Sequence, residues 1–261
     1  GNPQARKACK RYINNDLNRS FTKDSFLYKG SSHFEKLRAA ELVQLYGNKG
    51  KNPCQIALDF HTTTSSMGSC LVIYGRRKSD LALASLIQYK LGLPVYLHES
   101  DLTQTGFLVE SWPCGIVIEI GPVGQGLLNS MIISQTKMIL ENFMEQIKLA
   151  KNSNALFPEK LIIHRHVKSL DFPRDDKGFI NGYVHPKRQS KDWIPLKQND
   201  ELFVKSNGEI INFQENEPLI PVFINEAAYM EKNIAMSFTK RELWDFEDNW
   251  KRSLIELVCQ K

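Results

Sequence analysis

Reactive side chains stand at the ends of two apolar runs, which is where an open α/β sheet collects its catalytic and ligand-holding groups. His61 follows the run QIALDF (55–60), and period-two alternation puts Asp59 on the same side, where it can orient the imidazole. A histidine held this way suits metal ligation. A hydrogen-bonded histidine at a strand end has the same pattern, and one histidine does not make a zinc site. Glu119 lies in GIVIEIGP (115–122), a carboxylate inside an apolar strand. Burying it is costly unless it is paired, hydrogen-bonded or protonated, so a general base of raised pKa is one reading. An edge-strand glutamate facing water is the other. RYINNDLNR (11–19) gathers Arg11, Asn18 and Arg19. An arginine fork fits a carboxylate bidentately and the amide adds a donor, which suits recognition of a small acid, whereas a solvated basic loop would need no ligand.

Two further groups are weaker. His164 and His166 point one way from a strand and could bind a metal, but their place in the second half of the chain favours a pair on a barrel surface. NEAAYMEK (225–232) carries Glu226 and Tyr229 among short side chains, a pattern that also fits a hydrogen-bonded interface.

The elements that must position these groups alternate between strand and helix. Ser32 and Glu35 form a capping box for a helix whose apolar residues Ala39, Leu42, Val43 and Tyr46 run to Gly47. Strands are expected at 55–60, 70–74, 94–98 and 115–120, with helices over 79–92 and 126–150. This alternation predicts an α/β fold with a parallel or mixed sheet covered on both faces. After the polar break at 151–154 the texture becomes short β-like runs (LIIHRHV, ELFVK, EIINF, LIPVF) separated by turns. A domain boundary is therefore expected near residue 153, with a smaller β-rich domain beyond it.

The 261 residues carry 34 Lys and Arg against 29 Asp and Glu, a net charge of +5 that is too small to announce nucleic-acid binding. Nine basic and three acidic residues fall within the first 40, so that stretch holds +6 and the remainder −1. No strand-like run of stacking aromatics accompanies it, so nucleic acid is not an expected partner. The apolar runs stop far short of a bilayer span and no charged-then-apolar leader precedes them, which argues against a membrane segment or signal peptide. Five widely spaced cysteines without a C-x-x-C pair read as reduced thiols in a cytoplasmic protein.

GNPQA, RYINNDLNRSF, LDFHTTTSSMG, IEIGPVGQG, DFPRD and PVFINEAAYMEK, in this order, resemble the zinc-dependent aspartoacylase/succinylglutamate desuccinylase family, relatives of the zinc carboxypeptidases. The resemblance fades only in the last twenty or so residues. It implies a carboxypeptidase-like mixed sheet with flanking helices over 1–153, then the β-rich domain over 154–261. It also implies hydrolysis of an N-acyl amino acid to a carboxylate and a free amino acid, with N-acetyl-L-aspartate as the expected substrate. By the same resemblance His61 is the third ligand of one Zn2+ and Glu119 the general acid/base. Arg11 polarises the scissile carbonyl, Asn18 and Arg19 grip a substrate carboxylate, and Tyr229 touches substrate from the second domain.

The resemblance breaks in two places. The family's other two zinc ligands come from an H-x-x-E motif that is absent here and would precede Gly1; Gly1-Asn2-Pro3 reads as a turn leaving an earlier element, so the chain is expected to begin mid-fold. A family arginine that holds a second substrate carboxylate falls, by ungapped spacing, on Val109, and no Arg or Lys occurs between Lys90 and Lys137. Preference for acyl-aspartate is accordingly expected to be weak. A metal-free carboxylate-binding protein on the same scaffold and a deacylase for another N-acyl amino acid are the alternatives, and homo-oligomerisation is left open.

Overall fold

The computed structural model describes residues 2–22, 30–99 and 105–260; Gly1, and Lys23, Asp24 and Lys29 of the basic stretch, lie outside the described residues. Among the described residues ten strands follow in chain order: β1 (Ile56–Thr62), β2 (Cys70–Tyr74), β3 (Val95–His98), β4 (Cys114–Ile120), β5 (Lys160–Leu170), β6 (Gly182–Val184), β7 (Glu201–Lys205), β8 (Ile210–Asn212), β9 (Ile220–Val222) and β10 (Met236–Asp245). Seven of them form one sheet in the order β1-β4-β2-β3-β5-β10-β9, and β6-β7-β8 form a second, smaller one. The β1/β4, β2/β3 and β3/β5 pairs are parallel, while β2/β4, β5/β10 and β9/β10 are antiparallel. The sheet is therefore mixed, as the alternation of strands and helices predicts.

The α-helices of the described residues are α1 (Pro3–Lys7), α2 (Phe34–Tyr46), α3 (Lys78–Leu91), α4 (Ser130–Lys151) and α5 (Asp248–Cys259). Period-two alternation sorts the strand side chains to two faces. Leu71, Ile73, Ile116, Ile118, Leu161 and Ile163 pack with Leu83, Ile87, Ile139, Phe143, Trp250 and Leu254, so α3, α4 and α5 cover one face. The alternate residues Val72, Tyr96 and Val117 meet Phe107, Val109 and Phe223 on the other face, and α2 adds Ala39 against Ala57 there. By the same parity Glu119 shares the face of Val117, and Asp59 and His61 share that of Ala57.

Several boundaries differ from expectation for identifiable reasons. The capping box does not form: α2 begins at Phe34 after His33, which makes no side-chain cap. Glu35 instead accepts from Asn2 Nδ2 (2.8 Å) and from the N–H groups of Ile13 (2.6 Å) and Asn14 (3.3 Å), tying the N-terminal loop to α2. α4 starts at Ser130, because the Asn129 side chain caps it by accepting from Met131 and Ile132. β1 continues through Thr62, so His61 lies inside the strand rather than after it.

The chain beyond residue 153 enters the central sheet. β5 pairs with β3, β10 with β5, and α5 packs on α3. His164 and His166 are consequently 9% and 4% exposed in an interior strand, which corrects the expected barrel-surface pair. His164 packs edge-on to Trp193 with centroids 4.7 Å apart, and His166 lies 5.0 Å from the His98 ring. The excursion from β5 to β9 carries the small sheet on its own core of Phe172, Val184, Leu202, Phe203 and Phe213. Among the described residues no helix is long and apolar enough to cross a membrane, and all five cysteines are unpaired thiols.

Candidate active site

β1 and β4 run parallel with His61 directly opposite Glu119, so the two side chains reach the same sheet edge from adjacent strands. β4 lies between β1 and β2, which removes the edge-strand reading of Glu119. Glu119 is the only residue of β4 that is partly exposed, and it lines a cleft. The same cleft is lined by Arg11, Asn18, Arg19, His61, Phe223 and Tyr229, among others. The structure thus brings together Arg11, Asn18, Arg19, His61, Glu119 and Tyr229 of the side chains singled out in the sequence, with Glu226 beside them, while His164 and His166 lie elsewhere.

Gly121 helps fix this edge. A Cβ there would stand 2.4 Å from the Thr63 carbonyl oxygen, so only glycine lets the end of β4 close against the loop after β1. Thr63 N donates to the Ile120 carbonyl and Val123 N to that of Thr63, at 3.1 and 2.9 Å. From the other side Glu226 clamps the loop. Its Oε2 accepts from Thr63 Oγ1, from Thr64 N (2.8 Å) and Oγ1 (3.0 Å), and from Ser65 N (3.1 Å), while Oε1 accepts from Ala228 N (3.1 Å). Glu226 is therefore a structural clamp between the two halves of the chain, and Tyr229 follows it on a 3-10 turn, Ala227–Lys232.

Charge is balanced tightly in the cleft. Burial pushes the Glu119 carboxyl up, the positive charges of His61 and Arg11 pull it back, Glu226 and Asp59 push up again, and it settles at about 7. His61 Nε2 lies 2.8 Å from Asp59 Oδ2 and 3.2 Å from Asn18 Nδ2. A carboxylate only accepts, so Nε2 carries the proton. Burial lowers the imidazole's pKa, but the Asp59 hydrogen bond and the charges of Asp59 and Glu119 outweigh it and raise it to about 9. Burial and then the charge of Glu119 push the Tyr229 hydroxyl well up, leaving it a neutral donor.

Arg11 donates from Nε to Asp16 (3.1 Å). Arg19 donates from Nη1 to the Asn18 carbonyl (2.9 Å), and its guanidinium lies 3.9 Å over the Phe107 ring. Its buried Nε has no hydrogen-bond partner. Asn18 is locked by its Oδ1 accepting from Leu108 N (2.8 Å).

Val109 is not at the site. It is fully buried behind the cleft in the cluster of Phe107, Val117 and Phe223, and its carbonyl accepts from Arg77. Phe107, two residues earlier, lines the cleft instead. Tyr74, Phe107 and Val117 were not singled out by sequence. Val117 had a signal, since it sits two residues before Glu119 on the same face, whereas Phe107 lies in a loop with no periodicity to read.

Zinc is the ion that the resemblance implies. Among the described residues no group of three or more His, Cys, Asp or Glu side chains could hold a metal ion. His61 stands alone with its Nε2 on Asp59, whereas a catalytic zinc takes three protein ligands. These residues do not on their own fit that ion.

Residues 1–147 match the succinylglutamate desuccinylase/aspartoacylase catalytic domain, and residues 159–241 match the AstE/AspA barrel-sandwich hybrid domain. A probable aspartoacylase of Prochlorococcus marinus (strain NATL2A) is 72% identical over 261 residues, covering 100% of this chain and 86% of its own length. One from Parasynechococcus marenigrum is 48% identical over 259 residues, covering 99% and 85%. Among solved structures, murine aminoacylase 3 superimposes with a TM-score of 0.81 at 34% identity, covering 94% of this chain and 83% of that one. With both domain patterns matched in order and relatives this similar along the whole chain, the protein belongs to the succinylglutamate desuccinylase/aspartoacylase family of amide hydrolases.

Proposed function

We propose that the cleft hydrolyses the amide bond of N-acyl-L-amino acids, with Glu119 as the general acid/base. The observation that carries this reading is a carboxyl poised at about 7 beside two arginines, at the meeting of β1 and β4. A base of that pKa is half ionised at neutral pH and can both take and return a proton. Glu119 removes a proton from water as the water oxygen bonds to the acyl carbon. It then delivers that proton to the amide nitrogen as the C–N bond breaks, leaving a free amine and a carboxylic acid, which gives up its own proton to solvent as a carboxylate.

Arg11 has donors besides the Nε held by Asp16, and a guanidinium at this position stabilises charge developing on the acyl oxygen. Arg19, with its unpartnered Nε, receives the substrate's α-carboxylate, and Asn18 keeps the arginine's loop in place. Tyr229 donates a neutral hydroxyl into the cleft. The relatives' name makes N-acetyl-L-aspartate the first substrate to assay. The unpaired thiols suit a reducing compartment, which supports a cytoplasmic location.

The test is Glu119→Gln in the full-length protein, which keeps the side chain's shape but cannot take a proton. Loss of about 10²–10⁴-fold in kcat with KM little changed is expected. Turnover near that of the unaltered protein would remove Glu119 from the chemistry.

A further inference from the structure

We infer that Asp192, which does not itself line the cleft, is a positioning residue for substrate binding: it holds the bend that presents Phe223 and Tyr229 to the cleft. The inference rests on the N-acyl amino acid reading above for what those rings bind.

β9 ends at Val222, and the chain turns sharply before the 3-10 turn that carries Tyr229. Phe223 and Asn225 both take φ of +54°, on either side of Ile224. Asparagine tolerates this left-handed region, whereas a bulky aromatic residue there is strained and persists only where its surroundings fix it. Asn225 N donates to the Ala235 carbonyl (2.7 Å), and Phe223 N to Met67 Sδ (3.3 Å), a weak acceptor. Between them Ile224 N donates to Asp192 Oδ1 (3.0 Å), so the charged acceptor at the bend is Asp192.

The next residue anchors the same place. Trp193, itself at φ +65°, donates from its backbone to the Pro221 carbonyl and from Nε1 to the Met67 carbonyl, both at 2.9 Å. Asp192 and Trp193 together therefore staple the exit of β9 to the loop after β1. The Phe223 ring sits between Tyr96 and Tyr229, with centroids 5.6 and 5.1 Å away, so a turn of the 223–225 backbone would displace the aromatic wall of the cleft.

A carboxylate is costly where Asp192 stands. It is 6% exposed and its Oδ2 has no hydrogen-bond partner. Burial, to which the charge of Glu226 adds, outweighs the N–H groups of Ile224, Asp192 and Ser66 and raises its carboxyl to about 6. Leucine has nearly the same outline and avoids that cost, but leaves Ile224 N without an acceptor and the bend without its restraint. Glu119 and His61 are held by the β1/β4 ladder, and Glu226 keeps its own bonds to the 63–65 loop. Loosening the bend should therefore weaken the grip on substrate and spare the proton transfer.

The test is steady-state kinetics of the full-length protein on N-acetylated L-amino acids, N-acetyl-L-aspartate first. Asp192→Leu is expected to raise KM about tenfold or more with kcat within about threefold. Asp192→Asn, which keeps the Oδ1 acceptor without the charge, should return KM to within about threefold of the unaltered protein. Should the leucine variant fail to fold, Asp192→Ser carries the same expectation, since its vacated space admits water to the freed N–H. Hydrogen exchange on the same preparations gives a readout without catalysis: amides 223–229 should exchange about tenfold faster in the leucine or serine variant and not in the asparagine one, with 115–120 unchanged.

An unchanged KM, a kcat loss as large as the rise in KM, an asparagine variant as impaired as the leucine one, or unaltered exchange at 223–229 overturns the inference. If the unaltered protein hydrolyses no N-acyl amino acid, the amidohydrolase reading fails instead, and the exchange experiment still decides whether Asp192 holds the bend.

Discussion

Replacing Glu226 tests whether the second half of the chain holds the catalytic edge in place. Glu226→Ala removes the acceptor for three backbone N–H groups, Thr64, Ser65 and Ala228, and for the hydroxyls of Thr63 and Thr64. The hydroxyls can turn to other acceptors and Ser65 N also donates to Thr63 Oγ1 (3.2 Å), whereas the Thr64 and Ala228 N–H groups lose their acceptor. A buried donor left unsatisfied costs about 1–3 kcal/mol, and both are only partly buried, so the loss should be about 2 kcal/mol in total. The loop also follows His61 and abuts Gly121, so its release should lower kcat/KM at least tenfold through misplacement of reacting groups. Glu226→Gln keeps one oxygen that can serve the 63–65 loop and should lose about 1 kcal/mol. Urea denaturation at neutral pH, read with steady-state kinetics on the same preparations, measures both effects. An alanine variant within 1 kcal/mol of the unaltered protein, or a glutamine variant as damaged as the alanine one, would refute the clamp.

Three other outcomes follow from the same geometry. Burial and then the charge of Arg241 lower His164 to about 4, against about 6.5 in an unfolded chain. The fold therefore prefers His164 neutral, and stability complete above pH 6.5 is lost as pH falls toward 4, by about 2 kcal/mol between pH 8 and pH 5. Urea midpoints of His164→Phe should lack that part of the acid loss, and an unchanged slope would dismiss the assignment. Arg19→Lys retains charge but not the planar fork, so KM for an N-acyl amino acid should rise well beyond the effect of Arg6→Lys, with kcat affected less; an unchanged KM would remove Arg19 from carboxylate binding. The 261-residue chain dialysed against a mild chelator should hold much less than one zinc by elemental analysis, since His61 is its single carried-over ligand. Stoichiometric zinc would show that other residues complete a site.

The first half of the fold was readable because its strands are short continuous apolar runs set between helical stretches. CLVIY and GIVIEI send successive side chains to opposite faces, and that parity alone places Glu119 with Val117. His61 and Asp59 were legible for the same reason, and their 2.8 Å contact follows from spacing two apart on one strand. The family motifs supplied what periodicity could not, linking the loop of Arg11, Asn18 and Arg19 to Tyr229 more than two hundred residues later. β10 and α5 went unread: the alternate residues Lys240, Glu242 and others make β10 look polar, because its far end is only half buried beside β5. Glu35 misled because a glutamate three residues after a serine reads as a local cap, whereas tertiary partners from residues 2, 13 and 14 claim its carboxylate.

β5 and β10 pair along their whole lengths, and their final register partners are Leu170 and Met236. The chain from 171 to 235 therefore departs and returns at one hairpin end, an insertion whose β9 alone lies back along β10 at the edge of the sheet. Because loop-closure entropy grows only slowly with length, such an insertion can vary in size at little cost to the sheet. Phe223, Glu226 and Tyr229 ride on its returning arm, close to where the chain rejoins. An exchange of this module between relatives should therefore replace one wall of the cleft while leaving Glu119 and His61 in place wherever the incoming module brings a carboxylate equivalent to Glu226. Substrate range could then diversify without redesign of the catalytic edge.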